Sequence, residues 1–125
     1  MNYTEIKTIL SQIHDPAERL EFVMDLGREI PPIPANHAGT EIRGCASRVE
    51  IFRDRDNNYY GSADSAIVRG VLTLLLSMVQ GKAPSEIRKM NLAREFASLN
   101  LSLGAGRMNG VAGTIAFLES DKVTE

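Results

Sequence analysis

The sequence predicts an α+β fold, a three-stranded antiparallel sheet packed with helices, on three observations. Apolar residues recur at helical spacing near both ends of the chain, and between Glu41 and Ala63 the period changes to two. The longest apolar run, "AIVRGVLTLLLSMV" at 66–79, is apolar nearly all round, as befits a helix buried against a sheet on one side and helices on the rest.

Ile6, Ile9, Leu10 and Ile13 share a helical face, giving a first helix that ends near His14. A second starts at once. Asp15 is placed as its cap, Pro16 at the first helical position and Glu18 in the first turn, while Leu20, Val23, Met24 and Leu26 supply the buried face. Prolines 31, 32 and 34 lack the amide hydrogen and restrict their neighbours, so residues 28–40 read as a connecting loop. Ile42 before Gly44, and Val49 and Ile51 alternating with Arg48, Glu50 and Phe52 after Cys45, predict two strands that flank a Gly44-Cys45 connection. "DRDNN" at 54–58 is a turn, and "YYGSA" at 59–63 a third strand. Asp64 or Ser62 is expected to cap the long helix over 66–80, and Gly81 to end it. Pro84, Ser85 and Glu86 start another helix, and a further stretch holds Leu92, Phe96 and Leu99. A last helix is expected from about Arg107 to Glu119, capped by Gly106. In this order of elements the sheet is covered on one face.

A chain of 125 residues suits one domain, 1–125, with one core. The formal charge of -2, scattered Lys and Arg, and no aromatic residues interleaved with basic ones give no footprint for nucleic acid. The first ten residues include Glu5 and no apolar run behind basic residues, so they do not read as a signal peptide. The longest apolar run is interrupted by Arg69 and falls short of the ~20 residues a membrane-spanning helix needs, so no membrane association is expected. One cysteine cannot form an intramolecular disulfide, and an unpaired thiol fits a reducing compartment, which places the protein in the cytoplasm.

That cysteine, Cys45, draws attention by its position. A lone cysteine is ordinarily a small buried hydrophobe. Here it follows Gly44, which accepts backbone angles other residues avoid, and precedes the small residues Ala46 and Ser47, so the thiol can project from a tight strand connection. A working nucleophile needs its thiolate populated by a cation, a helix start or a base. Arg43, Arg107 and His37 are candidates, although no spacing in the chain sets any of them beside Cys45. One Cys and two His lack the paired spacings of zinc sites, so no metal is expected. "GAGRMNG" at 104–110 is one residue too long for the dinucleotide fingerprint and follows a helix, which rejects nucleotide binding. A stand-alone cysteine hydrolase would rely on His37, which between Pro34 and Gly39 reads more simply as a solvated loop residue. Arg107 is unusual, because a cation at a helix N-terminus opposes the helix dipole, and such a local conflict can mark a functional site.

Four blocks, "ERLEFVMDLGREIPPIP" (18–34), "IRGCASRVEI" (42–51), "SADSAIVRGVLTLLL" (62–76) and "RMNG" (107–110), resemble the SufE-like sulfur acceptors, partners of cysteine desulfurases in iron-sulfur cluster assembly. The most specific element is Gly-Cys followed by Ser and an apolar strand, then Asp-x-Ala-Ile-Val-x-Gly opening the long helix. The resemblance implies a compact α+β fold like that of the iron-sulfur scaffold proteins, with Cys45 at a loop tip taking sulfane sulfur as a persulfide. It implies an accessory sulfur-transfer protein with little turnover alone, stimulating a SufS-like cysteine desulfurase and passing sulfur to a downstream iron-sulfur scaffold. No cofactor of its own is implied, pyridoxal phosphate belonging to the desulfurase. Gly44, Ala46, Asp64 and Arg107 are implied as supporting or partner-interface residues, with Arg107 matching the arginine of the family's Ser-Arg-x-Asn-Gly element. For Asp64 the simpler reading, a helix cap, is preferred. The chain departs from the family where Ser62 replaces a second acidic residue and where "LSLGAGRMNG" is shorter and richer in glycine. Two alternatives stay open: a desulfurase-binding module without sulfur transfer, and relay of sulfur to another pathway such as tRNA modification.

Overall fold

The structure, a computed structural model, describes residues 1–42 and 47–120. Gly44, Cys45 and Ala46 therefore lie outside the described residues. The elements are α1 (Tyr3–Gln12), α2 (Pro16–Leu26), a 3-10 turn (Gly27–Glu29), β1 (Thr40–Glu41), β2 (Val49–Arg53), β3 (Tyr59–Ala63), α3 (Ala66–Val79), α4 (Pro84–Lys89), α5 (Leu92–Ala97) and α6 (Ala105–Leu118). The strands form an antiparallel sheet in the order β1-β2-β3, with Val49 opposite Ala63 and Ile51 opposite Gly61. This is the α+β class that the change of hydrophobic period predicts.

Local chemistry sets the helix starts. Asn2 and Glu5 form a reciprocal capping box on α1, and the Asp15 carboxylate accepts the Glu18 amide at 3.2 Å behind Pro16, as its spacing predicts. Two expected caps are corrected. The N-cap of α3 is Ser65, not Asp64 or Ser62, and its side chain makes no capping bond. The last helix starts at Ala105 behind Gly104, which at φ +83 adopts a conformation open to glycine, and Gly106 lies inside its first turn.

The core is organised around α3, in which Leu72, Leu74, Leu75, Leu76 and Val79 are all buried. Leu72 reaches the inner face of the sheet at Gly61, where a Cβ would stand 2.8 Å from its Cδ2 atom. On the opposite side α3 meets α2 at Gly70, where a Cβ would fall 2.0 Å from the Val23 carbonyl oxygen. Only a residue without a side chain permits that approach. Arg19 of α2 donates to the carbonyl oxygens of Leu10, Ile13 and Leu99, tying the end of α1 to the segment after α5. The Glu95 carboxylate accepts the Tyr3 hydroxyl and, at 2.7 Å, the Lys7 ammonium, joining α1 to α5.

The helix α3 covers the inner face of the sheet, in line with the order of elements, and a loop segment shields part of the outer face. The proline-rich segment meets the free edge of β3, where the Gly61 amide donates to the Pro31 carbonyl at 2.9 Å, and then passes over the outer face, where the His37 ring lies 4.7 Å from that of Phe52, leaving Phe52 buried. His37 is thus exposed yet packed on an aromatic face. The outer edge of β3 is closed by Gln80, whose side-chain amide accepts from the Tyr59 amide at 2.9 Å and donates to the Tyr59 carbonyl at 2.7 Å. A side chain there substitutes for one rung of a further strand and blunts the edge. Among the described residues no helix is long and apolar enough to cross a membrane.

Two outcomes are expected. Gly70→Ala forces a backbone contact apart and is expected to cost about 3 kcal/mol in urea unfolding; a loss within measurement error would contradict the close approach. Lys7 and then Tyr3, as hydrogen-bond donors, hold the Glu95 carboxyl below its ordinary range. Because the folded value is the depressed one, this stabilisation is present at neutral pH. It is lost as pH falls below the ordinary glutamate value towards the folded one. Glu95→Gln is therefore expected to flatten the acid limb of the stability curve, and an unchanged limb would refute the assignment.

Candidate functional site

The segment that carries Cys45 is bracketed by two backbone contacts. On its N-terminal side the Ile42 amide donates to the Val49 carbonyl at 2.8 Å, closing the connection between β1 and β2. On its C-terminal side Arg48 extends the β2–β3 ladder by one step: its amide donates to Asp64 Oδ1 at 3.1 Å, and the Asp64 amide donates to its carbonyl at 3.4 Å. Residues 43–47 lie between these two brackets. Asp64 is therefore no helix cap, the reading preferred from the sequence; its carboxylate fixes the strand that leads out of the cysteine loop.

Ser47, two residues after Cys45, lines a cavity of about 400 Å³. Its walls are apolar, formed by Val49 of β2, Val68, Leu72 and Leu75 of α3, and Leu103 and Val111 around α6. Polar groups among the described residues are the side chains of Ser47, Ser65, Arg107 and Thr114, and the Thr114 hydroxyl is already committed to the Gly110 carbonyl at 2.9 Å. An apolar recess with a few polar groups is the usual make-up of a binding site.

Two helix N-termini meet this cavity. Ser65 begins α3, and Gly106 and Arg107 belong to the first turn of α6. Neither start has a side-chain cap, and neither first turn has an acidic residue. Each helix start therefore presents uncapped amides and the positive end of its dipole. Arg107 adds a full charge, its Nη1 making only a long contact of 3.4 Å to the Leu103 carbonyl. The arrangement favours an anion at the mouth of an apolar recess, and a thiolate or persulfide is one anion that suits both parts.

Residues 4–121 match the SufE family, described as the Fe-S metabolism associated domain. The chain belongs to the SufE family. An uncharacterized SufE-like protein of Rhizobium meliloti is 27% identical over 115 residues, covering 83% of this chain and 82% of that one. The sulfur acceptor protein CsdE of Escherichia coli is 31% identical over 94 residues, covering 69% of this chain and 64% of its own. The solution structure of a hypothetical protein from Thermus thermophilus superposes with a TM-score of 0.71 over 95% of this chain and 91% of that one. At 13% identity it shares the fold alone.

Within this SufE domain, Arg107 and Ser47 line one cavity, a meeting that no spacing in the sequence fixed. Asp64 stands at the base of the cysteine loop, while His37 lines a different cleft, on the outer face of the sheet. Gly44, Cys45 and Ala46 fall in the undescribed segment. Sequence reasoning missed Arg48 as the partner of Asp64, because their pairing depends on the register of β2 against β3. It also missed Ser65 as the true start of α3. A register that places Val49 opposite Ala63 would have found the first.

Asp64→Ala is expected to speed hydrogen exchange of the Arg48 amide by about fivefold, the loss of about 1 kcal/mol that one hydrogen bond is worth. Exchange unchanged in that variant would show that the bracket does not hold in solution.

Proposed function

We propose that this protein is a sulfur acceptor, taking sulfane sulfur on Cys45 from a pyridoxal-phosphate cysteine desulfurase of the SufS kind and passing it on for iron-sulfur cluster assembly. The observation that carries the reading is the cavity beside the cysteine loop, where two uncapped helix starts and Arg107 surround an apolar recess. Membership of the SufE family supports it. So do two relatives, the sulfur acceptor protein CsdE and a cysteine desulfuration protein SufE of Plasmodium vivax, the latter 28% identical over 85 residues.

The chemistry is thiol exchange with sulfur as cargo. The Cys45 thiolate attacks the outer sulfur of the persulfide on the desulfurase cysteine. A new S–S bond forms on Cys45, the old one breaks, and its electron pair leaves as the desulfurase thiolate, so no outside oxidant or reductant is consumed. A positive potential of the kind found at this cavity favours an anionic sulfur, thiolate or persulfide, over the neutral thiol. Gly44 and Ala46, the two neighbours of Cys45 in sequence, carry little or no side chain to crowd the thiol against a partner. The reducing cytoplasm suits the cycle, since an acceptor thiol must be returned free after each delivery.

Incubation with a cognate desulfurase and cysteine is expected to leave the wild-type protein heavier by one sulfur atom and to speed alanine release by the desulfurase. Cys45→Ser is expected to abolish both effects. An equal mass gain or equal stimulation in that variant would sink the proposal. Arg107→Ala is expected to move the pH profile of Cys45 alkylation to higher pH and to slow transfer about tenfold, the weight of one well-placed charge; a superimposable profile would remove Arg107 from the site.

A further inference from the structure

A second cleft, of about 500 Å³, opens on the outer face of the sheet beneath the proline-rich segment. Pro32, Ile33 and Pro34 form one side of it, and His37, Ser62 and Arg69 supply polar groups. Arg69 is half-buried at the start of α3. Its aliphatic stem packs against the start of the 3-10 turn, where a Cβ on Gly27 would lie 3.3 Å from both Cβ and Cγ of Arg69. Its Nε donates to the Ala63 carbonyl at 3.2 Å. The guanidinium is thereby held from two sides while its two Nη groups make no bond among the described residues. No described carboxylate pairs with it. The one carboxylate among the described residues lining the same cleft, Glu50, is engaged by Arg48 through Nη2 at 2.7 Å and Nε at 3.1 Å. A fixed, half-buried guanidinium without a counter-ion is costly unless an anion completes it, and the planar pair of Nη groups matches a carboxylate.

We propose that this cleft receives an aspartate or glutamate side chain of the desulfurase, as a second contact beside the cysteine loop. The inference rests on the sulfur-acceptor reading above. A carboxylate belonging to a protein is favoured over a free metabolite because the cleft is open to solvent, whereas small-molecule sites enclose most of their ligand. Position also favours it. Arg48 directly precedes β2 and Glu50 is its second residue, about 7 Å away along extended chain, and a stable interface covers roughly 800 Å² on each partner. A protein seated over the cysteine loop therefore reaches the rim of the cleft, with Pro32 and Pro34 offering a rigid apolar border for little loss of conformational entropy.

The test measures binding of a cognate desulfurase to the full chain by calorimetry, with variants first checked for unchanged melting. Arg69→Gln is expected to weaken binding about tenfold at low salt, with the difference shrinking as salt rises. Arg69→Lys keeps a charge and an amine, so carbodiimide treatment of its complex is expected to join position 69 to an acidic residue of the desulfurase, read by peptide mass spectrometry. Affinity of Arg69→Gln within twofold of wild type, or a cross-link map without position 69, would overturn the docking role while leaving sulfur transfer intact. Wild-type protein that does not bind the desulfurase at all would refute the sulfur-acceptor reading, and this contact with it.

Discussion

The contact between Gly70 and the Val23 carbonyl sets the position of α3, and the rest of the molecule is hung from that helix. With α2 drawn close on one side, the opposite side of α3 meets the sheet at Gly61 through Leu72 and Leu76. The two ends of α3 then do different work. At its C-terminus Gln80 completes the edge of β3, and Gly81, at φ +78, turns the chain away. At its N-terminus Asp64 and Ser65 stand at the base of the cysteine loop and at the wall of the cavity, so core packing and the site share one rigid element.

Locally the site runs against the rules of stable helices. Each missing N-cap forgoes about 1 kcal/mol, and a cation in a first turn opposes the dipole by a further few tenths. Both unfavourable choices occur around one cavity, which is where an anionic sulfur would make them favourable. The bonds at Ile42–Val49 and Arg48–Asp64 fix the described chain on either side of residues 43–46.

How much of this was legible in the sequence depended on the range of the interaction concerned. Asp15-Pro16 and Pro84 announce helix starts through bonds within one turn, and the period-two pattern of Val49 and Ile51 marks a strand by itself. Asp64 was misread as a cap because its local spacing fits one equally well; only the β2–β3 register shows that it bonds to Arg48 instead. The packing of His37 on the outer face and of Pro31 on the edge of β3 is equally hidden, since proline chemistry says where a helix stops and not where the following chain lies. Arg107 was conspicuous by its conflict with the helix dipole, but its companion Ser47 could be found only in three dimensions.

The most direct measurement is a single-turnover transfer from a desulfurase charged with radiolabelled sulfur on its cysteine and freed of excess substrate. Mixed with the protein and quenched with an alkylating agent, the label is expected to leave the desulfurase and appear on the peptide that contains Cys45, one sulfur per chain. Label that remains on the desulfurase, or that reaches the protein equally when Cys45 is replaced by serine, would contradict the role assigned to this thiol and to the cavity beside it.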